Sequence, residues 1–132
     1  MTATATTGTE TATIARELVA LCRAGRNMEA IEKFYSPNIV SIESVGSEEL
    51  PAELRGIDAI RGKNEWWFQN NDVHSAKATG PFIGDDQFAV KFDYDTTFKP
   101  TGEHVQMTEM ALYTVVDGKI VHEHFFYHMP GA

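Results

Sequence analysis

Cysteine is almost absent: Cys22 stands alone, so no intrachain disulfide can form. It falls on the apolar stripe of an expected helix and reads as a small core hydrophobe, not as a reactive thiol. Basic residues are also scarce. Eleven Lys and Arg face nineteen Asp and Glu, a net charge of −8 with a pI near 5.0. Nucleic acid or an anionic membrane surface would require a basic patch. The densest basic stretch, Arg23 to Arg26, is broken by Ala24 and Gly25, so the chain is read as binding neither. No apolar run approaches the length of a membrane span. Residues before Thr13 are rich in Thr and Ala and lack the basic start and apolar run of a signal peptide. Residues 1–12 therefore read as a flexible tail, and 13–132 as one domain of a cytoplasmic protein.

What is present suits a single core. The 132 residues are 42% hydrophobic and include eight Phe, four Tyr and two Trp, enough for one domain. From Thr13, Ile14, Leu18, Leu21 and Cys22 recur at helical spacing until Gly25 ends the run. Asn27 caps a second helix with Met28, Ile31, Phe34 and Tyr35 on its apolar face, and Pro37 stops it. Ile39 to Val45 alternates as a strand, with Ser41 and Glu43 on one face and Val40 and Ile42 on the other. Gly46 to Gly56 reads as a loop. Asp58 opens a third helix that runs to about Asn71, with Ile60, Asn64 and Trp67 on one face.

Beyond Asn71 the period becomes two. Val73–Thr79, Gln87–Phe98, Val105–Val116 and Lys119–His128 read as strands, and Asp117-Gly118 marks a two-residue hairpin. Helices followed by consecutive antiparallel strands predict an α+β fold, in the order α-α-β-α-β-β-β-β.

This order resembles the nuclear transport factor 2-like superfamily, and within it the ketosteroid isomerase and SnoaL-like polyketide cyclase branch. The matching pieces are Ala24-Gly25, Phe34-Tyr35-Ser36-Pro37-Asn38, Glu43 to Glu48, Gly56 to Arg61 and Asp117 to Ile120, over roughly Thr13 to Tyr127. The resemblance implies a cone-shaped half-barrel, three helices packed on a strongly curved, mostly antiparallel sheet, enclosing an apolar pocket. Carried over by position, the isomerase general-base aspartate falls on Glu43. The oxyanion-hole tyrosine of the first helix falls on Leu18, so that donor is missing, and a second tyrosine falls on Asn64. A protonated acid falls on or near Ala111, with Glu109 one inward step earlier on the same strand.

Glu43 facing such a pocket would be desolvated and could abstract a proton from carbon beside a carbonyl. The alternative is a solvated rim residue paired with Arg55 or Arg61. Glu109 shares a face with Ala111 and Tyr113. Inward, it puts two carboxyls in one dry site, so that one keeps its proton; outward, it pairs with Lys91 or Lys119. Tyr113 and Tyr127 are either replacement donors or core residues. Trp67 is placed at the pocket wall and Trp66 under or beside its helix; Phe92, Phe125 and Phe126 are core residues or, as candidates for substrate binding at Phe92 and Phe125, part of that wall. His122 and His124 share a strand face and invite a metal, but solvent or a partner subunit is the simpler neighbour. His74 is a proton shuttle or a plain strand-edge residue.

Apolar residues on both strand faces call for cover on the outer side of the sheet, met by a homodimer. Two functions stay open. One is a cofactor-free isomerase, cyclase or (de)hydratase that acts on a small apolar carbonyl compound, with Glu43 and Glu109 as catalytic groups. The other is a non-catalytic ligand-binding or dimerisation module.

Overall fold

The computed structural model describes residues 8–128. The first helix, α1 (Gly8–Arg23), starts five residues before the expected Thr13. Its buried residues Thr11, Ile14, Ala15, Leu18 and Val19 form one continuous stripe of the kind that anchors a helix on a core. The early turn is held because the Thr11 hydroxyl donates to the Asp85 carbonyl at 2.7 Å. The expected tail is thus helical from Gly8, and its first seven residues lie outside the described residues. At the other end Gly25 takes φ +73°, and Arg26 N–H reaches back to Leu21 O at 2.8 Å, a glycine-terminated helix end.

Asn27 is not a cap. It is the first residue of α2 (Asn27–Phe34), which buries Ala30, Ile31 and Phe34. The chain is extended from Tyr35, two residues before Pro37, and enters β1 (Tyr35–Ile42). Within the expected loop lies a short strand, β2 (Glu53–Arg55), paired antiparallel with β1. Then α3 (Ile57–Asn70) carries Asp58 in its first turn. The strands β3 (Asn71–Ile83), β4 (Gln87–Phe98), β5 (Glu103–Val116) and β6 (Lys119–Phe126) follow. β3 runs past the expected Thr79 through a register shift between Thr79 and Phe82. Asp117 and Gly118 both have positive φ, as a tight hairpin between β5 and β6 requires.

Among the described residues the fold is α+β, three helices on one six-stranded sheet in the order β2-β1-β6-β5-β4-β3. All pairings are antiparallel except β1 with β6, which run parallel and set Ser41 opposite Glu123. That parallel contact joins the β2–β1 pair to the consecutive strands β6-β5-β4-β3, and the helices pack on the concave face of the resulting open sheet. Leu18, Val19, Ile39, Ile60, Phe88, Val90, Val115 and Ile120 form the core there, each at most 2% exposed. On the convex face, Met110 lies opposite Phe126 and Phe82 opposite Ala89. Met110, Phe126 and Phe82 are all exposed large hydrophobics. No described helix is long and apolar enough to cross a membrane.

Candidate active site

The concave face is not filled. It encloses a cavity of about 910 Å³, the size of a small-molecule site. Its walls include Leu18, Asn64, Trp67, Phe92, Tyr113, Phe125 and Tyr127, together with Glu43 and Glu109. Ala111 is not among the lining residues: it is fully buried in the sheet, with Val90 and Phe125 as cross-strand neighbours. Its methyl group is too short to reach the cavity past longer inward neighbours.

Glu43 lies one residue beyond the end of β1, where its N–H donates to Ala52 O at 2.8 Å. Its side chain turns inward. Oε2 accepts from Lys63 Nζ at 2.8 Å and Oε1 from the Tyr127 hydroxyl at 2.9 Å. Arg55 and Arg61, the rim partners considered from sequence, bind Glu53, Glu32 and Asp58 instead. A carboxyl held by an ammonium and a phenol is fixed in direction and open to the cavity.

Glu109 has a different setting. It is 9% exposed, and no hydrogen bond within the described residues satisfies its carboxyl. Lys91 lies near Asp93, and Lys119 donates to the Lys33 carbonyl, so neither pairs with it. Burial, then the charges of Glu43 and Glu123, push Glu109 up to about 8, against a smaller opposing pull from Lys63. At neutral pH it carries a proton and can donate it.

Sequence reasoning missed the base of the site. Glu123, 2% exposed, accepts from the Ser41 hydroxyl at 2.6 Å and from the Tyr35 hydroxyl. Ser41 in turn accepts from Lys63 Nζ at 2.6 Å, and that ammonium sits 5.1 Å from the Phe125 ring centre. Burial raises the Glu123 carboxyl, while Lys63, Ser41 and Tyr35 pull it back. Two signals could have found this cluster. Lys63 falls between Ile60 and Trp67 at helical spacing, and Glu123 shares strand parity with Phe125. Tyr94, stacked on Phe92 with centroids 5.9 Å apart and 5.3 Å from Trp67, is a further wall residue the sequence reading passed over.

Other expectations resolve plainly. Trp66 is exposed, 6.4 Å from Phe98 at the helix edge, and also reaches the cavity lining. Phe126 is not core: it lies 47% exposed on the outer face, stacked on His124 at 4.1 Å. His122 and His124 sit 6.2 Å apart by ring centres. Among the described residues no group of three or more side chains is placed to hold a metal ion. His74 is bonded to Thr97 Oγ1 at 2.7 Å and does not line the large cavity, so it cannot shuttle protons there. Burial pushes the Cys22 thiol up to about 12, which leaves it an unreactive wall residue.

A family model described as a SnoaL-like domain matches residues 9–127. No curated protein matches. Among solved structures, a Mesorhizobium loti protein provisionally assigned as a SnoaL-like polyketide cyclase is 41% identical, with a TM-score of 0.83 over 88% of this chain and 97% of its own. A provisionally assigned isomerase from Bacillus subtilis is 17% identical with a TM-score of 0.72, covering 91% of this chain and 87% of its own. A Xanthomonas campestris protein of unknown function with a cystatin-like fold is 16% identical, with a TM-score of 0.73 over 90% and 91%. The last two share the fold alone. The match over nearly the whole described chain, and the 41% identity with the Mesorhizobium loti protein, place this chain in the SnoaL-like domain family.

Proposed function

We propose that this protein is an acid–base enzyme that isomerises, cyclises or (de)hydrates a small, largely apolar carbonyl compound without a bound cofactor. The observation that carries the reading is the pairing of two unlike carboxyls in one cavity. Glu43 is held by Lys63 and Tyr127, while Glu109 stays unpartnered and protonated to about pH 8. Glu43 takes a proton from carbon next to the substrate carbonyl, and negative charge develops on the carbonyl oxygen. Glu109 donates a hydrogen bond to that oxygen, the role that the missing tyrosine at Leu18 cannot fill. Return of the proton from Glu43 to a different carbon completes an isomerisation. Cyclisation or dehydration uses the same enolate. The aromatic walls at Trp67, Phe92 and Phe125 bind the apolar body of the ligand.

A non-catalytic binding module is the second reading, favoured by Leu18 itself, an apolar wall where the resemblance places an oxyanion donor. In either reading the convex face, with Met110, Phe126 and Phe82 exposed, is covered by a second copy of the chain in a homodimer. The test is a panel of cyclic, polyketide-like and terpenoid ketones screened by rise in melting temperature, followed by product analysis with wild type and Glu43→Gln. The enzyme reading expects stabilising ligands that wild type converts and Glu43→Gln does not. Binding without conversion by wild type leaves the module reading, and no stabilising ligand at all contradicts both.

A further inference from the structure

The polar cluster beneath Glu43 is more than the acid–base reading needs. Tyr35 and Ser41 donate to Glu123, and Lys63 donates both to Ser41 and, on the cavity side, to Glu43. The Lys63 ammonium thus lies between two carboxyl groups, 2.8 Å from Glu43 Oε2 and 3.8 Å from Glu123 Oε2. Three elements that meet only in the folded chain build this line. Ser41 and Glu123 are register partners across the parallel β1–β6 contact, and α3 brings Lys63 down onto both. Among the described residues no fully buried side-chain nitrogen or oxygen lacks a partner, so no atom of the network is orphaned. Such networks hold one arrangement.

We propose that Glu123 is a positioning residue for Glu43. Through Ser41 and Lys63 it fixes the Glu43 carboxylate against the cavity, and it supplies the countercharge to which Lys63 turns when Glu43 takes up a proton. In the resting site Lys63 answers Glu43. Once Glu43 is neutral, its attraction for the ammonium is largely gone, and the charge 3.8 Å away on Glu123 becomes the stronger partner. The ammonium stays buried and paired through both halves of the proton cycle. Without Glu123 it would have no carboxylate partner in one of them. The other titratable groups lining the cavity around the cluster are Cys22 from α1, Tyr35 from β1, Glu49 from the segment between β1 and β2, Tyr94 from β4, Glu109 and Tyr113 from β5, and Tyr127 beyond β6.

This inference rests on the acid–base reading, and two measurements separate their failures. The first needs no activity. In protein carrying 15N-lysine, hydrogen exchange of the Lys63 ammonium is followed by NMR in wild type, Glu43→Gln and Glu43→Gln/Glu123→Gln. Glu43→Gln stands in for the protonated state. Exchange close to the wild-type rate is expected in the single variant, with a severalfold acceleration in the double one. Should the double variant fail to fold, Ser41→Ala replaces Glu123→Gln and breaks the same line. Equal rates in the single and double variants overturn the proposal.

The second measurement is the split between kcat and KM on any ketone that wild type turns over. In Glu123→Gln the Lys63 charge acts on Glu43 alone and the carboxylate loses its fixed direction, so kcat falls severalfold while KM stays near the wild-type value. A folded Glu123→Gln with an unchanged kcat defeats the positioning role while leaving the acid–base reading intact. An inactive wild type defeats that reading, and the lysine exchange then decides the fate of Glu123.

Discussion

Lys63 Nζ stands 2.8 Å from Glu43 Oε2 on the inner wall of the cavity, with the Lys63 side chain 14% exposed. It is set between Glu43 and Glu123, so removing it leaves buried carboxyl charge unanswered. Lys63→Met is expected to cost about 3–5 kcal/mol of stability near neutral pH. The loss should shrink near pH 5, because burial raises the Glu123 carboxyl and makes it the readier to take up a proton. Urea denaturation at the two pH values checks this; an equal loss at both would show that the methionine fails on packing, not charge.

Glu109 gives a pH signature of its own. A carboxyl raised from 4.5 to about 8 in the folded state keeps a proton that the unfolded chain has already released. Its stabilising contribution is complete below about pH 4.5 and is lost as the pH climbs to about 8, at about 1.4 kcal/mol per pH unit. Glu109→Gln cannot titrate. Its stability relative to wild type should therefore rise steadily between pH 5 and 8, measured by denaturant melts across that window. A flat difference would place the Glu109 proton elsewhere.

The convex face makes a separate prediction. Met110→Lys or Phe126→Asp places charge in the apolar patch formed by two register partners. Wild type is expected to sediment as a dimer and each variant as a monomer, with the fold retained by circular dichroism. A monomeric wild type would leave the patch without its proposed cover.

Gly46 lines the cavity mouth, and a Cβ there would lie 2.2 Å from Ala52 N, on a backbone that cannot yield cheaply. Gly46→Ala should force apart the segment that Glu43 N and Ala52 O tie together at 2.8 Å. The expected result is a lower melting temperature and weaker ligand binding than in wild type, read by thermal shift and titration. An alanine variant with wild-type values for both would show that the loop relaxes freely.

Much of this architecture was legible before any coordinates. Period-two alternation located the long strands, and parity grouped Ser41 with Glu43 and Glu109 with Ala111 and Tyr113, while the choice between inward and outward stayed open. The parts that were not legible depend on distant pairing. The three residues of β2 are too few to show a period, and only the antiparallel contact with β1 makes them a strand. The first turn of α1 has little apolar character, and its anchor is a carbonyl 74 residues away. Lys63 was not singled out, since a lysine on a helix usually faces solvent. Its burial is visible only when Ser41 and Glu43 arrive from another element. Glu123 was passed over between two histidines, although its neighbour Phe125 had already marked that parity as inward.

The claim at the centre is that Glu43 moves a proton at carbon next to a carbonyl. The most direct measurement is deuterium incorporation from D2O into a cavity-binding cyclic ketone, followed by NMR with wild type and Glu43→Gln. Exchange at the carbon beside the carbonyl is expected with wild type, slowed by roughly a hundredfold or more in Glu43→Gln while the ketone still binds. Wild type that binds the ketone without exchanging its protons, or a Glu43→Gln that exchanges them equally fast, would contradict the account.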